Sequence, residues 1–154
     1  MEHGKRYHSV VVIDRGHIRG MSDETHHMTD GYSVGSTYRV YDTSLGMAGI
    51  MVAGDVYFPE VARLLARADS RYIIALAGEI NVNDAIMLLR SYAYLCGRSV
   101  LAIVGNVAYI VSEKGDVLVQ DEAKMLMADI ETTKSDYFLS KMRPNIYNNV
   151  YIEK

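Results

Sequence analysis

The densest run of chemistry-bearing residues in this 154-residue sequence is Asp23-Glu24-Thr25-His26-His27, with Asp30 close behind. Imidazoles and carboxylates are zinc-ligand types. However, adjacent His residues on an extended chain point to different sides, and no His-x-x-x-His pair on a helix accompanies them. The run therefore reads as a solvated polar loop, and no metal is expected. The only thiol is Cys96, inside the apolar stretch Ser91-Tyr92-Ala93-Tyr94-Leu95-Cys96. One Cys makes neither an intrachain disulfide nor a Cys-based zinc site, and the setting is that of a small buried core residue. His8 and His17 flank the first hairpin, with no catalytic role assigned to either. Residues Gly31 to Gly35 lack the Lys-Ser/Thr of a phosphate-binding loop, and no Gly-x-Ser-x-Gly elbow occurs. Met125, Leu126 and Met127 read as apolar filler. No cofactor is expected.

These residues must be positioned by a chain whose bulk properties are ordinary. The length suits one domain over residues 1–154, and an apolar share of 49% supplies one core. Sixteen Lys plus Arg against 19 Asp plus Glu give a net charge of −3, without the clustered basic face that nucleic-acid binding needs. No leader-like apolar segment opens the sequence and no run approaches membrane-spanning length, so a cytoplasmic protein with no membrane partner is expected. Twelve Tyr with no Trp and two Phe point toward self-association, since Tyr is amphipathic and common at interfaces.

The hydropathy pattern predicts a hairpin first. Ser9–Ile13 is a β-branched strand, Asp14-Arg15-Gly16 a turn, and His17–Ser22 the return strand. Asp23 to Tyr32 is a loop. Thr37–Asp42 alternates as a strand, and Gly46–Ala53 reads as a strand buried on both faces. Pro59 then starts a helix to Arg67, with Val61, Leu64 and Leu65 on one face. Tyr72–Ala77 is apolar and unassigned. A second helix runs roughly from Asp84 to Cys96 and stops at Gly97. Strands follow at Ser99–Val104, Val107–Val111 and Val117–Gln120, with further elements expected at Lys124–Ala128 (strand), Ser135–Met142 (helix) and Ile146–Ile152 (strand). Runs of strands followed by runs of helices point to an α+β layered domain, not a doubly wound βαβ fold.

From Ser9 to Ala66 the sequence resembles the N-terminal half of proteasome β-type subunits and the bacterial relative HslV, and the likeness extends over roughly residues 7 to 128. It rests on Gly16-His17-Ile18 leading to Asp23, on Gly35 before Arg39-Val40-Tyr41, on the small-apolar strand Gly46 to Gly54 followed by the helix at Pro59, and on Lys114-Gly115-Asp116-Val117. The resemblance implies an αββα sandwich of two antiparallel sheets with flanking helices, assembling into rings. It also implies a nucleophile-bearing N-terminus supported by an acid at Asp23, a cation at Arg39 and an oxyanion-site backbone at Gly54. The family's Thr is missing, since a gap-free register places Tyr7 there, and Ser9 becomes terminal only after cleavage behind His8. Asp23 equally reads as a turn cap, Arg39 as a strand residue whose head reaches solvent, and Gly54 as a tight strand-to-helix turn.

The expected function is accordingly a catalytically inactive, proteasome-like subunit that self-assembles into a homo-oligomer or structural ring, with a protein partner possible. The alternatives are an N-terminal-nucleophile peptidase processed to Ser9, with Asp23, Arg39 and Gly54 in support, and a monomeric partner-binding domain.

Overall fold

The computed structural model describes residues 4–26, 28, 30–78, 80–122, 126–132 and 136–142. Strands β1 (Ser9–Asp14) and β2 (His17–Asp23) form an antiparallel hairpin about Arg15-Gly16. Its register shifts between Val12 and Ile13, so that Val12 faces Gly20 while Ile13 faces Ile18. Arg19 is the extra residue of this bulge.

A second sheet has six strands in the order β3 (Val40–Thr43), β4 (Gly46–Val52), β5 (Tyr72–Ala77), β6 (Ser99–Val104), β7 (Val107–Val111) and β8 (Val117–Asp121). Its central strands β4, β5 and β6 are parallel, and the outer pairs are antiparallel. The fold thus contains helices and two sheets, as expected, but the expectation of two antiparallel sheets fails for the larger one. The cause is connectivity. Helix α1 (Pro59–Arg67) carries the chain from β4 to β5, and α2 (Val82–Cys96) carries it from β5 to β6. Each crossover returns the next strand parallel to the last. The apolar run Tyr72–Ala77 is the central strand that this arrangement buries.

Both helices pack on one face of the sheet. Val61 and Leu65 of α1 and Leu89 and Ala93 of α2 meet Ile73, Ala75, Val100 and Ala102 in one core. The face of α1 is Val61, Ala62, Leu65 and Ala66, while Leu64 is exposed. Asn81 caps α2 by accepting from the backbone N–H groups of Asn83 and Asp84. Gly97 ends it in the left-handed conformation, φ 61°. Arg98 follows, fully buried. Its guanidinium donates to the carbonyls of Ala66, Ser70, Cys96 and Gly97 and pairs with Asp136 at 2.7 Å. One cation therefore satisfies the C-terminal carbonyls of both crossover helices.

The opposite sheet face is covered unevenly. Val10 and Val12 of the hairpin pack on Tyr41, Ile50 and Tyr72, so the hairpin roofs the β3–β4 end. On the same face Ile130 joins that cluster, and Leu126 lines a cavity together with Leu101 and Ile103. Strand β3 begins at Val40, later than Thr37. Residues 126–128 form no strand, the helix α3 is confined to Tyr137–Lys141, and Ile146–Ile152 lies outside the described residues.

Candidate functional site

Strands β4 and β5 end at the same edge of the sheet, and the chain leaves each for a helix. A cavity of about 650 Å³ lies between these exits. Its wall combines Val52, Ala53 and Gly54 beyond β4, Leu76 and Gly78 along β5, Asn81 at the start of α2, and His8 and Ser9 from the open end of the hairpin. The carboxyl ends of parallel strands are where α/β sheets receive small ligands.

The buried carboxylate of Glu24 organises this wall. It sits opposite His8 because the hairpin ladder continues past its ends, the Glu24 amide donating to the His8 carbonyl at 2.9 Å. One carboxylate oxygen contacts His8 Nδ1 at 3.0 Å, and the other accepts the Gly54 N–H at 3.0 Å. A carboxylate only accepts, so Nδ1 carries the proton of this contact and a neutral His8 keeps its lone pair on Nε2. The imidazole also lies against Tyr32, with ring centroids 3.8 Å apart. A His oriented by a buried carboxylate and bordering a cavity has the arrangement of a general base.

The turn beyond β4 is strained and tight. Ala53 has φ +47°, a conformation rare outside Gly, and such outliers gather at functional positions. A sharp strand-to-helix turn of this kind presents a nucleophile in many hydrolases, but here the side chain is a methyl group. Gly54 leaves no room for more, because a Cβ there would sit 2.2 Å from Met28 Cγ and 2.7 Å from Glu24 Oε1. Behind the turn, buried Asp55 accepts from Thr25 N (3.0 Å), Thr25 Oγ1 (2.7 Å) and His26 N (3.0 Å) and meets His26 Nδ1 at 3.0 Å, all through Oδ1. His26 is also stacked on Phe58, 3.6 Å between centroids. These contacts fix the segment that carries Glu24.

Of the residues singled out in the sequence, Ser9 and Gly54 line the cavity, and Asp23 accepts the Ser9 hydroxyl at 2.6 Å. Arg39 is not among the cavity residues; it is exposed and donates to the Met21 carbonyl at 3.1 Å. His26 is held by Asp55, His27 lies outside the described residues, and no group of three or more metal-ligating residues occurs among those described. Cys96 is buried at the end of α2, and burial pushes its thiol up to about 11. No described helix is long and apolar enough to cross a membrane. The residues missed in the sequence are His8, Glu24 and Asp55 in their pairings, and Ala53.

No protein-family model and no curated protein matches the sequence. Solved structures do share its fold. A carbon–nitrogen hydrolase from Helicobacter pylori superposes with a TM-score of 0.79 at 21% identity, over 92% of this chain and 64% of that one. Nit3 of Saccharomyces cerevisiae, a member of branch 10 of the nitrilase superfamily, gives 0.68 at 20% identity over 75% and 49%. An amidase from Nesterenkonia, solved with acrylamide added to its active-site cysteine, gives 0.68 at 16% identity over 86% and 58%. The chain thus spans about half to two thirds of these proteins. At such identities the likeness is one of fold. It overturns the resemblance to proteasome β-type and HslV proteins, and with it the inactive ring-forming scaffold and the Ser9 peptidase of that class. The parallel β4–β5–β6 core with its helical crossovers is the physical reason, since the anticipated sandwich was built of antiparallel sheets.

Proposed function

We propose that this chain carries the small-molecule site of a carbon–nitrogen hydrolase-type enzyme, in which an amide-bearing ligand enters the cavity at the ends of β4 and β5 and His8, oriented by Glu24, is the general base. The observation that carries this reading is the His8–Glu24 pair, a half-exposed imidazole on a buried carboxylate at the cavity wall. Nε2 would take a proton from water as the water oxygen attacks the amide carbon. The C–N bond then breaks, and the imidazolium returns the proton to the departing nitrogen, giving a carboxylic acid and ammonia or an amine. The reading uses water because the one thiol is buried and protonated at neutral pH.

The test is ammonia release from a panel of small carboxamides, with His8→Ala and Glu24→Gln alongside the wild type. Release well above blank is expected, falling about 100-fold in His8→Ala. A wild type silent on every amide removes the catalytic reading.

A second reading is favoured by Ala53. The strained turn aims a methyl, not a nucleophile, toward the cavity, which suits a domain that binds such ligands without turning them over. Ligand-induced thermal stabilisation without ammonia release would support it.

The αββα layering is likewise proposed as the completed architecture, of which the helix face and the six-stranded sheet form one half.

A further inference from the structure

Glu24 fixes the imidazole of His8 at one atom only. Nδ1 meets the carboxylate at 3.0 Å, but a ring held by a single hydrogen bond can still rock about it, and Nε2 on the far side of the ring then swings. The side chain is 32% exposed, so the core does not hold it. A base works only when it is kept within about 0.5 Å of its productive place. What meets the face of the imidazole is Tyr32, with ring centroids 3.8 Å apart and the planes inclined by 35°.

The loop that carries Tyr32 is tied to the two segments that carry the His8–Glu24 pair. The Ser33 N–H donates to the carbonyl of Arg6, two residues before His8, and the Gly35 N–H donates to the Glu24 carbonyl, each at 2.7 Å. Gly31 turns the chain just before Tyr32 with φ +85°, a conformation that suits Gly. Gly35 lets the loop close on β2, since a Cβ there would stand 2.9 Å from Asp23 Cβ. The Arg6 guanidinium carbon lies 5.7 Å from the Tyr32 ring centroid, within cation–π range. One aromatic ring thus meets the side chains of both Arg6 and His8. We infer that Tyr32 is a positioning residue for His8, its ring setting the plane of the imidazole that Glu24 holds at Nδ1. For turnover this rests on the reading of His8 as the base; for the placement of the ring it does not. Tyr32 is not among the residues that line the cavity, so a ligand there loses no direct contact when Tyr32 is replaced.

The experiment reads placement and turnover separately in the wild type, Tyr32→Phe and Tyr32→Leu. Placement is read from the imidazole C–H proton resonances of His8, assigned by their loss in His8→Gln and recorded at alkaline pH, where imidazoles are neutral. In the wild type they are expected upfield of those of the exposed His17, shielded by the Tyr32 ring. Tyr32→Phe should keep this displacement and Tyr32→Leu should abolish it. Turnover is read as ammonia release. Tyr32→Leu is expected to lower kcat about tenfold with KM little changed, and Tyr32→Phe to retain the wild-type kcat. Undisplaced His8 resonances in the wild type overturn the inference, as does a Tyr32→Phe that loses as much as Tyr32→Leu, or a Tyr32→Leu with wild-type kcat. Should Tyr32→Leu fail to fold, the wild-type comparison with His17 and the Tyr32→Phe variant still decide. Displaced His8 resonances in a protein that releases no ammonia support the placement and overturn only the reading of His8 as a base.

Discussion

Among single residues, Asp55 has the largest structural consequence outside the His8–Glu24 pair. It holds Thr25 and His26 through one oxygen and so fixes the strand end from which Glu24 projects. Asp55→Ala leaves those donors unpaired and is expected to cost about 2–4 kcal/mol, a fall in Tm of roughly 5–15 °C in a domain of this size. Asp55→Asn keeps an acceptor and should cost less. Thermal melts of the two variants check the order, and an Asp55→Ala melt equal to wild type would show that the contact holds nothing. The sequence named some of the residues here without their roles. Ser9, Asp23 and Gly54 were singled out through a resemblance that does not hold; Ser9 and Gly54 line the cavity, and Asp23 accepts the Ser9 hydroxyl. The His8–Glu24 pair was not legible, because counting outward from the Arg15-Gly16 turn pairs Asp14 with His17 and would place Asp23, not Glu24, opposite His8. The bulge at Arg19 moves the register by one residue, and a one-residue slip changes every partner beyond it.

Of the elements, α2 links the sequence to the stability of the core. Its buried face ends in Tyr92 and Cys96. Burial raises the Tyr92 phenol to about 12 from 10.0 and the Cys96 thiol to about 11 from 9.0. Both groups lose protons in the unfolded chain first. Stability is therefore unaffected by them below pH about 9 and declines as pH rises from there toward 11 and beyond. Denaturant melts between pH 8 and 11 should show this decline, and it should weaken in Cys96→Ala, whose truncation itself costs a roughly constant increment. An alkaline limb identical in the variant would remove Cys96 from this account. The helices themselves were well marked in the sequence. Pro59, Asn81 and Gly97 punctuate them by chemistry that acts within a few residues. The parallel pairing of the strands between them was not marked, because Tyr72–Ala77 is a short apolar run whose period does not distinguish strand from helix. Once that run is placed as a strand, two strand–helix–strand units follow, and the antiparallel sandwich is no longer available.

At the scale of the whole molecule, the sequence conveyed self-association through its Tyr content and through a ring-forming resemblance that does not hold, whereas the structure shows exposed apolar residues on the outer face of the hairpin and at the far end of the sheet. The exposed residues there are Val11, Ile13, Ile18, Met21 and Ile103, not Tyr. A strand with apolar residues on both faces was visible at Ser9–Ile13, yet nothing in the pattern said that only one face would find cover within the chain. The same hairpin has two ends with different duties. Its open end contributes His8 and Ser9 to the cavity, while its outer face carries Val11, Ile13, Ile18 and Met21. Any ligand that steadies the open end therefore also acts on the strands that carry the outer face. Free energies around a cycle of binding and local opening must close, so a ligand that protects the hairpin from opening by some factor is itself bound more tightly by the closed hairpin, by that same factor. Hydrogen exchange of the β1 and β2 amides with and without a saturating carboxamide would reveal the coupling as slower exchange along both strands, and unchanged rates would mean that the two ends of the hairpin act independently.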